Sequence, residues 1–174
     1  MGKKKRMMLL TGILVVGGWS GIWALTPERI NEAVEIGVAT EGDAVALSVQ
    51  SSWDDLIIAI ELDNGWEVYV SPSSGEVLRR ERDLVRRKDR LMAAAVRNGQ
   101  LMTLGNAWAL ILDQLRASER YDWVTTTDLH SIEYDREFRR AVVEAELRVG
   151  GGRDRLRVYA DAATGEILEV EHDD

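Results

Sequence analysis

The sequence predicts an α+β fold: two tandem helix-on-antiparallel-sheet units behind one N-terminal transmembrane or signal helix. Three observations carry this expectation. A 19-residue uncharged run, residues 7–25, follows four cations; a hairpin sequence recurs 90 residues further on; and a helical apolar pattern precedes each copy of that hairpin.

The apolar run comes first in the chain. As a helix rising 1.5 Å per residue it would span roughly 28 Å, close to the roughly 30 Å hydrocarbon core of a bilayer. The cations Lys3, Lys4, Lys5 and Arg6 would stay in the cytoplasm and leave the body outside, with Trp19 and Trp23 at the outer interface. A cleaved signal peptide, which would leave a secreted or periplasmic body, shares this charge pattern. However, Ile22-Trp23-Ala24 is a poor small-residue cleavage site, and the run exceeds a usual signal core. A single-pass membrane anchor over residues 1–25 is therefore expected. Met1-Gly2-Lys3-Lys4-Lys5-Arg6 lacks the hydroxyl residue of a myristoylation signal.

The anchor also explains the charge. The whole chain carries 22 Lys+Arg and 30 Asp+Glu, a net of −8, but no acid precedes Glu28. Residues 26–174 thus hold 18 bases against 30 acids, a net of −12. A body this acidic argues against a nucleic-acid partner, whose phosphates need a basic face. Absence of cysteine excludes disulfides, thiolate metal sites, a thiol nucleophile and the acylated cysteine of a lipoprotein.

Residues 26–83 form the first unit. Thr26-Pro27-Glu28 supplies a hydroxyl cap, a proline at the first helical position and an acid in the first turn. Ile30, Ala33, Val34, Gly37 and Val38 then follow at helical spacing, and Gly42 ends the helix. Strands are expected over 44–53 and 55–62, the latter with Leu56, Ile58, Ile60 and Leu62 on one face. Asp63-Asn64-Gly65 turns the chain into the strand beginning at Trp66.

Residues 84–100 read as a helical linker, with helices over 84–98 and 101–118 broken at Asn98-Gly99. The second helix opens the other unit, 101–174, and carries Leu101, Leu104, Trp108, Ile111, Leu112 and Leu115 on one stripe. Tyr121–Tyr134 is a weaker candidate strand. Arg139–Val149 alternates cleanly, with Ala141, Val143, Ala145, Leu147 and Val149 opposite Arg140, Glu144, Glu146 and Arg148. A Gly151-Gly152 loop would set Glu146 opposite Arg157.

The repeat aligns Trp66–Asp83 with Leu156–Asp173, including Tyr69 with Tyr159, Gly75 with Gly165, Glu76 with Glu166 and Leu78 with Leu168. In both copies an alternating strand leads to a turn, Ser71-Pro72-Ser73-Ser74-Gly75 or Asp161-Ala162-Ala163-Thr164-Gly165, whose glycine suits positive φ. Helix followed by antiparallel strands and a Val-Tyr…Gly-Glu-hydrophobic-Leu ending resembles the PepSY domain family. The second copy is the closer match, through Val158-Tyr159 and Asp161-Ala162-Ala163-Thr164-Gly165-Glu166-Ile167-Leu168. The first departs from the pattern at Ser71 and Ser74. The resemblance implies an extracytoplasmic bacterial protein of cystatin-like architecture that binds and regulates, in one form by inhibition, an envelope peptidase. It brings no catalytic residues. The alternative is a non-inhibitory envelope scaffold or sensor domain that binds another envelope protein. No peptidase segment follows Asp174, so action as a propeptide in cis is not expected.

No residue is singled out as catalytic, cofactor-binding or metal-binding, no cofactor is expected, and the chain reads as a non-enzyme. Its expected partners are the membrane, through residues 7–25, and a protein of the envelope. The two histidines, His130 and His172, belong to no catalytic motif; His172 reads as part of a solvated acidic tail, Glu169–Asp174. Arg79–Arg90 holds seven bases and three acids, read as a solvated helix face with pairs such as Asp83–Arg87. Trp53, Trp66, Trp108 and Trp123 are expected in the core.

Overall fold

A computed structural model describes residues 25–42, 44–52, 57–82, 87–125, 128–137, 139–149 and 154–173. The predicted anchor up to residue 24, Trp53, Leu56, Asp83–Arg86, Gly151-Gly152 and Asp174 lie outside them. Among the described residues no helix is long and apolar enough to cross a membrane.

The elements are α1 (Pro27–Glu41), β1 (Ala46–Ser52), β2 (Ile57–Leu62), β3 (Trp66–Val70), β4 (Val77–Arg82), α2 (Arg87–Arg97), α3 (Leu104–Ala117), β5 (Leu129–Glu137), β6 (Arg140–Val149), β7 (Asp154–Asp161) and β8 (Ile167–Asp173). The α+β class holds, but the expected pair of separate sheets is corrected. All eight strands form one antiparallel sheet in the order β4-β3-β2-β1-β5-β6-β7-β8. Each half is a helix followed by a four-stranded meander, which leaves its first strand with one open side. Those two sides pair with each other, Ser48 with Glu133, Val49 with Ile132 and Gln50 with Ser131. A unit this small buries little apolar surface alone, and the seam lets both halves share one core.

The helices begin where capping chemistry directs. Thr26 accepts from the Arg29 amide at 3.3 Å, and Thr103 accepts from the Asn106 amide at 3.4 Å. The second cap corrects the expected start at 101 to Leu104. The helix α2 is described from Arg87, the residues before it lying outside the described ones, and the expected strand over 121–134 begins only at Leu129 because Tyr121–Trp123 is a turn. Arg79–Arg82 belong to strand β4 rather than to a helix.

The helices share one face of the sheet. Ile30 and Ala33 of α1 and Ala107, Trp108, Ile111 and Leu115 of α3 join Val49, Ile60, Val68, Ile132, Ala145 and Val158 in one buried cluster. α1 and α3 cross closely at Gly105, where a Cβ would lie 2.2 Å from Asn31 Oδ1. Buried aromatic donors secure the residue before each cap. Trp108 Nε1 donates to the Leu25 carbonyl at 2.9 Å, and Tyr134 Oη donates to the Met102 carbonyl.

The turns of the repeated hairpins are closed by the same pair of backbone hydrogen bonds. Gly75 and Gly165 take φ of 69° and 73°. Their amides donate to the Ser71 and Asp161 carbonyls at 2.8 and 2.7 Å, while the Ser71 and Asp161 amides donate to the Glu76 and Glu166 carbonyls at 2.8 and 2.9 Å. The same register shift follows Tyr69 in one copy and Tyr159 in the other.

Candidate functional site: the helix-free face of the sheet

Residues that alternate away from the core form the opposite face, which no described helix covers. The register places one residue from every strand in a single cross-strand row: Glu81, Glu67, Glu61, Ser48, Glu133, Glu144, Tyr159 and Glu169, from β4 across to β8. Six of eight positions are glutamate. Directly opposed like charges weaken a sheet, so this row lowers the stability of the isolated protein.

The neighbouring row is mixed: Arg79, Tyr69, Ala59, Gln50, Ser131, Glu146, Arg157 and Glu171. Its arginines partly offset the acids. Arg79 lies 3.5 Å from Glu81 and 4.0 Å over the Tyr69 ring, and Arg157 lies 3.9 Å from Glu144. Glu146 stands opposite Arg157 in register, as the sequence led us to expect, but its close partner is Arg155, at 2.6 Å.

Electrostatic perturbation gathers on this face. Burial, followed by the Glu133 charge, pushes the Glu144 carboxyl above its ordinary value. Burial and the Glu67 carboxylate raise the Tyr69 hydroxyl to about 12, and burial with Glu144 raises Tyr159. Each hydroxyl faces a glutamate of this surface: Tyr69 donates to Glu67 at 2.7 Å, with Glu81 further off at 3.4 Å, and Tyr159 donates to Glu171 at 3.5 Å. Chemically, the face is a fixed array of acceptors and negative charge, suited to a cationic surface.

The histidines are apart. His130 is buried at the register shift of β5, with Nε2 3.4 Å from Arg148. Burial, then the Arg148 charge, lowers its pKa. His172 stacks on Tyr121, ring centroids 5.9 Å apart. Its neighbours Glu169 and Glu171 lie in edge strand β8 rather than in a free tail. Among the described residues no group of three His, Asp or Glu side chains is placed to hold a metal ion.

Trp108 is in the core. Trp66 is half-buried beneath Arg80 and Arg82, at 5.5 and 5.7 Å. Trp123 is 42% exposed, contrary to expectation, because it ends a turn and donates to the Arg120 carbonyl at 3.0 Å. Two largely apolar cavities of about 330 Å³ flank α2, one lined by Val34, Val38, Val96, Leu104 and Tyr134, the other by Leu91, Met92, Leu101 and Arg136.

The sequence reading missed the glutamate row. The alternating acids were visible in each strand, but a row across eight strands depends on the β1–β5 register, for which the sequence carries no local signal.

No family model matches the chain, and no curated protein matches it. Among solved structures, the chain is similar to a protein of Clostridium difficile 630 described as a candidate lipoprotein. The two are 14% identical with a TM-score of 0.50, over 87% of this chain and 95% of that one. At this identity the likeness concerns the fold.

Proposed function

We propose that the protein is a membrane-tethered extracytoplasmic module of PepSY type, without enzymatic activity, whose helix-free sheet face binds a cationic surface of an envelope peptidase and regulates it. The observation that carries this reading is the glutamate row: a like-charged array costs stability in the free protein and is relieved by a basic partner. The repeated PepSY-like hairpin and the polybasic apolar segment before Leu25 support the peptidase and membrane parts of the reading. The description of the solved neighbour as a candidate lipoprotein supports an envelope setting. Since this sequence has no cysteine to acylate, attachment here would rest on residues 7–25.

The test is to titrate thermolysin-type and cell-wall peptidases with the full-length chain in detergent. Saturable inhibition that weakens with salt and is lost in Glu133→Lys/Glu144→Lys is expected. Cleavage of the chain without inhibition would overturn the regulatory reading, and salt-sensitive binding without inhibition would assign the scaffold role instead.

A further inference from the structure

We propose that the two edges of the sheet are complementary docking strands for a second copy of this chain, β4 of one molecule adding to β8 of the next.

Among the described residues no strand pairs with the outer side of β4 or of β8, and these two edges differ in sign. Val77–Arg82 of β4 carries Arg79, Arg80 and Arg82 against Glu81, a net of +2, whereas Ile167–Asp173 of β8 carries Glu169, Glu171 and Asp173, a net of −3 with His172 neutral. From Leu78 to Arg82 every β4 residue is exposed, including Leu78 at 52%, and Glu169, Glu171 and His172 are exposed on β8. The repeat sharpens this contrast. Across the 90-residue offset the turn glycines and tyrosines are retained, yet Arg79 corresponds to Glu169, Arg80 to Val170 and Arg82 to His172. The halves have diverged in charge at their outermost strands.

Charge on an edge strand ordinarily discourages pairing with other chains. Here it discourages only like pairings: β4 against β4 would oppose arginines, and β8 against β8 would oppose glutamates. The β4–β8 pairing is left attractive, and the topology permits it. Every neighbouring pair of strands is antiparallel and the strand count is even, so the edge strands run in opposite directions. A copy translated along the sheet therefore presents β4 antiparallel to β8, with its helices on the same side as those of the first. Such a contact is head-to-tail, using different patches on the two partners.

The test uses the full-length chain in mild detergent. Sedimentation velocity at low ionic strength should show concentration-dependent self-association, weakened about tenfold or more at 1 M salt, where the Debye length is roughly 3 Å. Arg79→Glu/Arg82→Glu and Glu169→Arg/Glu171→Arg should each abolish it. Combining all four substitutions in one chain should restore it, and so should an equimolar mixture of the two edge-reversed chains. Recovery in the mixture shows that the individual variants are folded. The absence of native cysteine allows a second arm, in which Leu78→Cys and His172→Cys chains are mixed with a bis-maleimide crosslinker and the mixed dimer should dominate. A monomer at every concentration, association indifferent to the reversals (as contact through residues 7–25 would be), or dominant 78–78 or 172–172 products would each overturn the proposal.

Discussion

Trp108 Nε1 donates to the carbonyl of Leu25 at 2.9 Å inside the core, so a side chain from the second half holds the backbone at the entry to the first. Trp108→Phe keeps most of the apolar volume but leaves a buried carbonyl without its donor. A loss of about 1–3 kcal/mol is expected in urea unfolding, against about 3–5 kcal/mol for Trp108→Ala.

The repeated turns predict an unequal pair. A Cβ on Gly165 would lie 2.8 Å from Leu110 Cδ1, while one on Gly75 would lie 3.3 Å from Ile36 Cδ1, and both residues sit at positive φ. Gly165→Ala should therefore cost more than Gly75→Ala, by about 1 kcal/mol, the low end of overpacking penalties. Thermal unfolding of the two variants measures the difference.

The crossing of α1 and α3 predicts a coupled pair. Gly105→Ala drives a Cβ into Asn31 and should destabilise by about 1–3 kcal/mol. Asn31→Ala removes the obstructing amide, so the double variant should recover part of that loss. A double-mutant cycle with no coupling would contradict the close crossing.

Glu144 predicts the pH dependence. Its raised pKa means that the folded carboxyl holds its proton more tightly than the unfolded one, whose ordinary value is 4.5. Its protonation therefore adds stability as pH falls toward 4.5, and that contribution is lost as pH rises through the raised value. Glu144→Gln should stabilise the protein at neutral pH by about 0.2–1 kcal/mol, the size of a cross-strand pair effect, and should flatten the decline in melting temperature above pH 4.5.

His130 acts in the opposite direction. With its pKa lowered from 6.5 by burial and Arg148, the unfolded state takes up a proton first as pH falls below 6.5. Stability should then decrease on acidification, and His130→Gln should remove that component from the melting curve.

Local chemistry made much of this fold legible. Thr26-Pro27 and Gly42 bracket α1 as expected, and the alternation around Val143, Ala145 and Leu147 marks a core-facing strand. The 90-residue self-similarity identified hairpins whose turns are closed by the same pair of backbone hydrogen bonds. What was not legible was non-local. No property of Ser48 or Glu133 announces that they face one another, so neither the single sheet nor its glutamate row could be read before the two halves were placed together. Trp123 misled for a related reason, since an aromatic residue resembles core until the turn that exposes it is known.

The β1–β5 seam has a further consequence. Two identical units joined edge to edge through their first strands would form a twofold homodimer, and every charge on one outer edge would be duplicated on the other. Linking the units within one polypeptide removes that obligation. Each half then accumulates its own substitutions, and a symmetric assembly becomes a polar one with distinguishable ends.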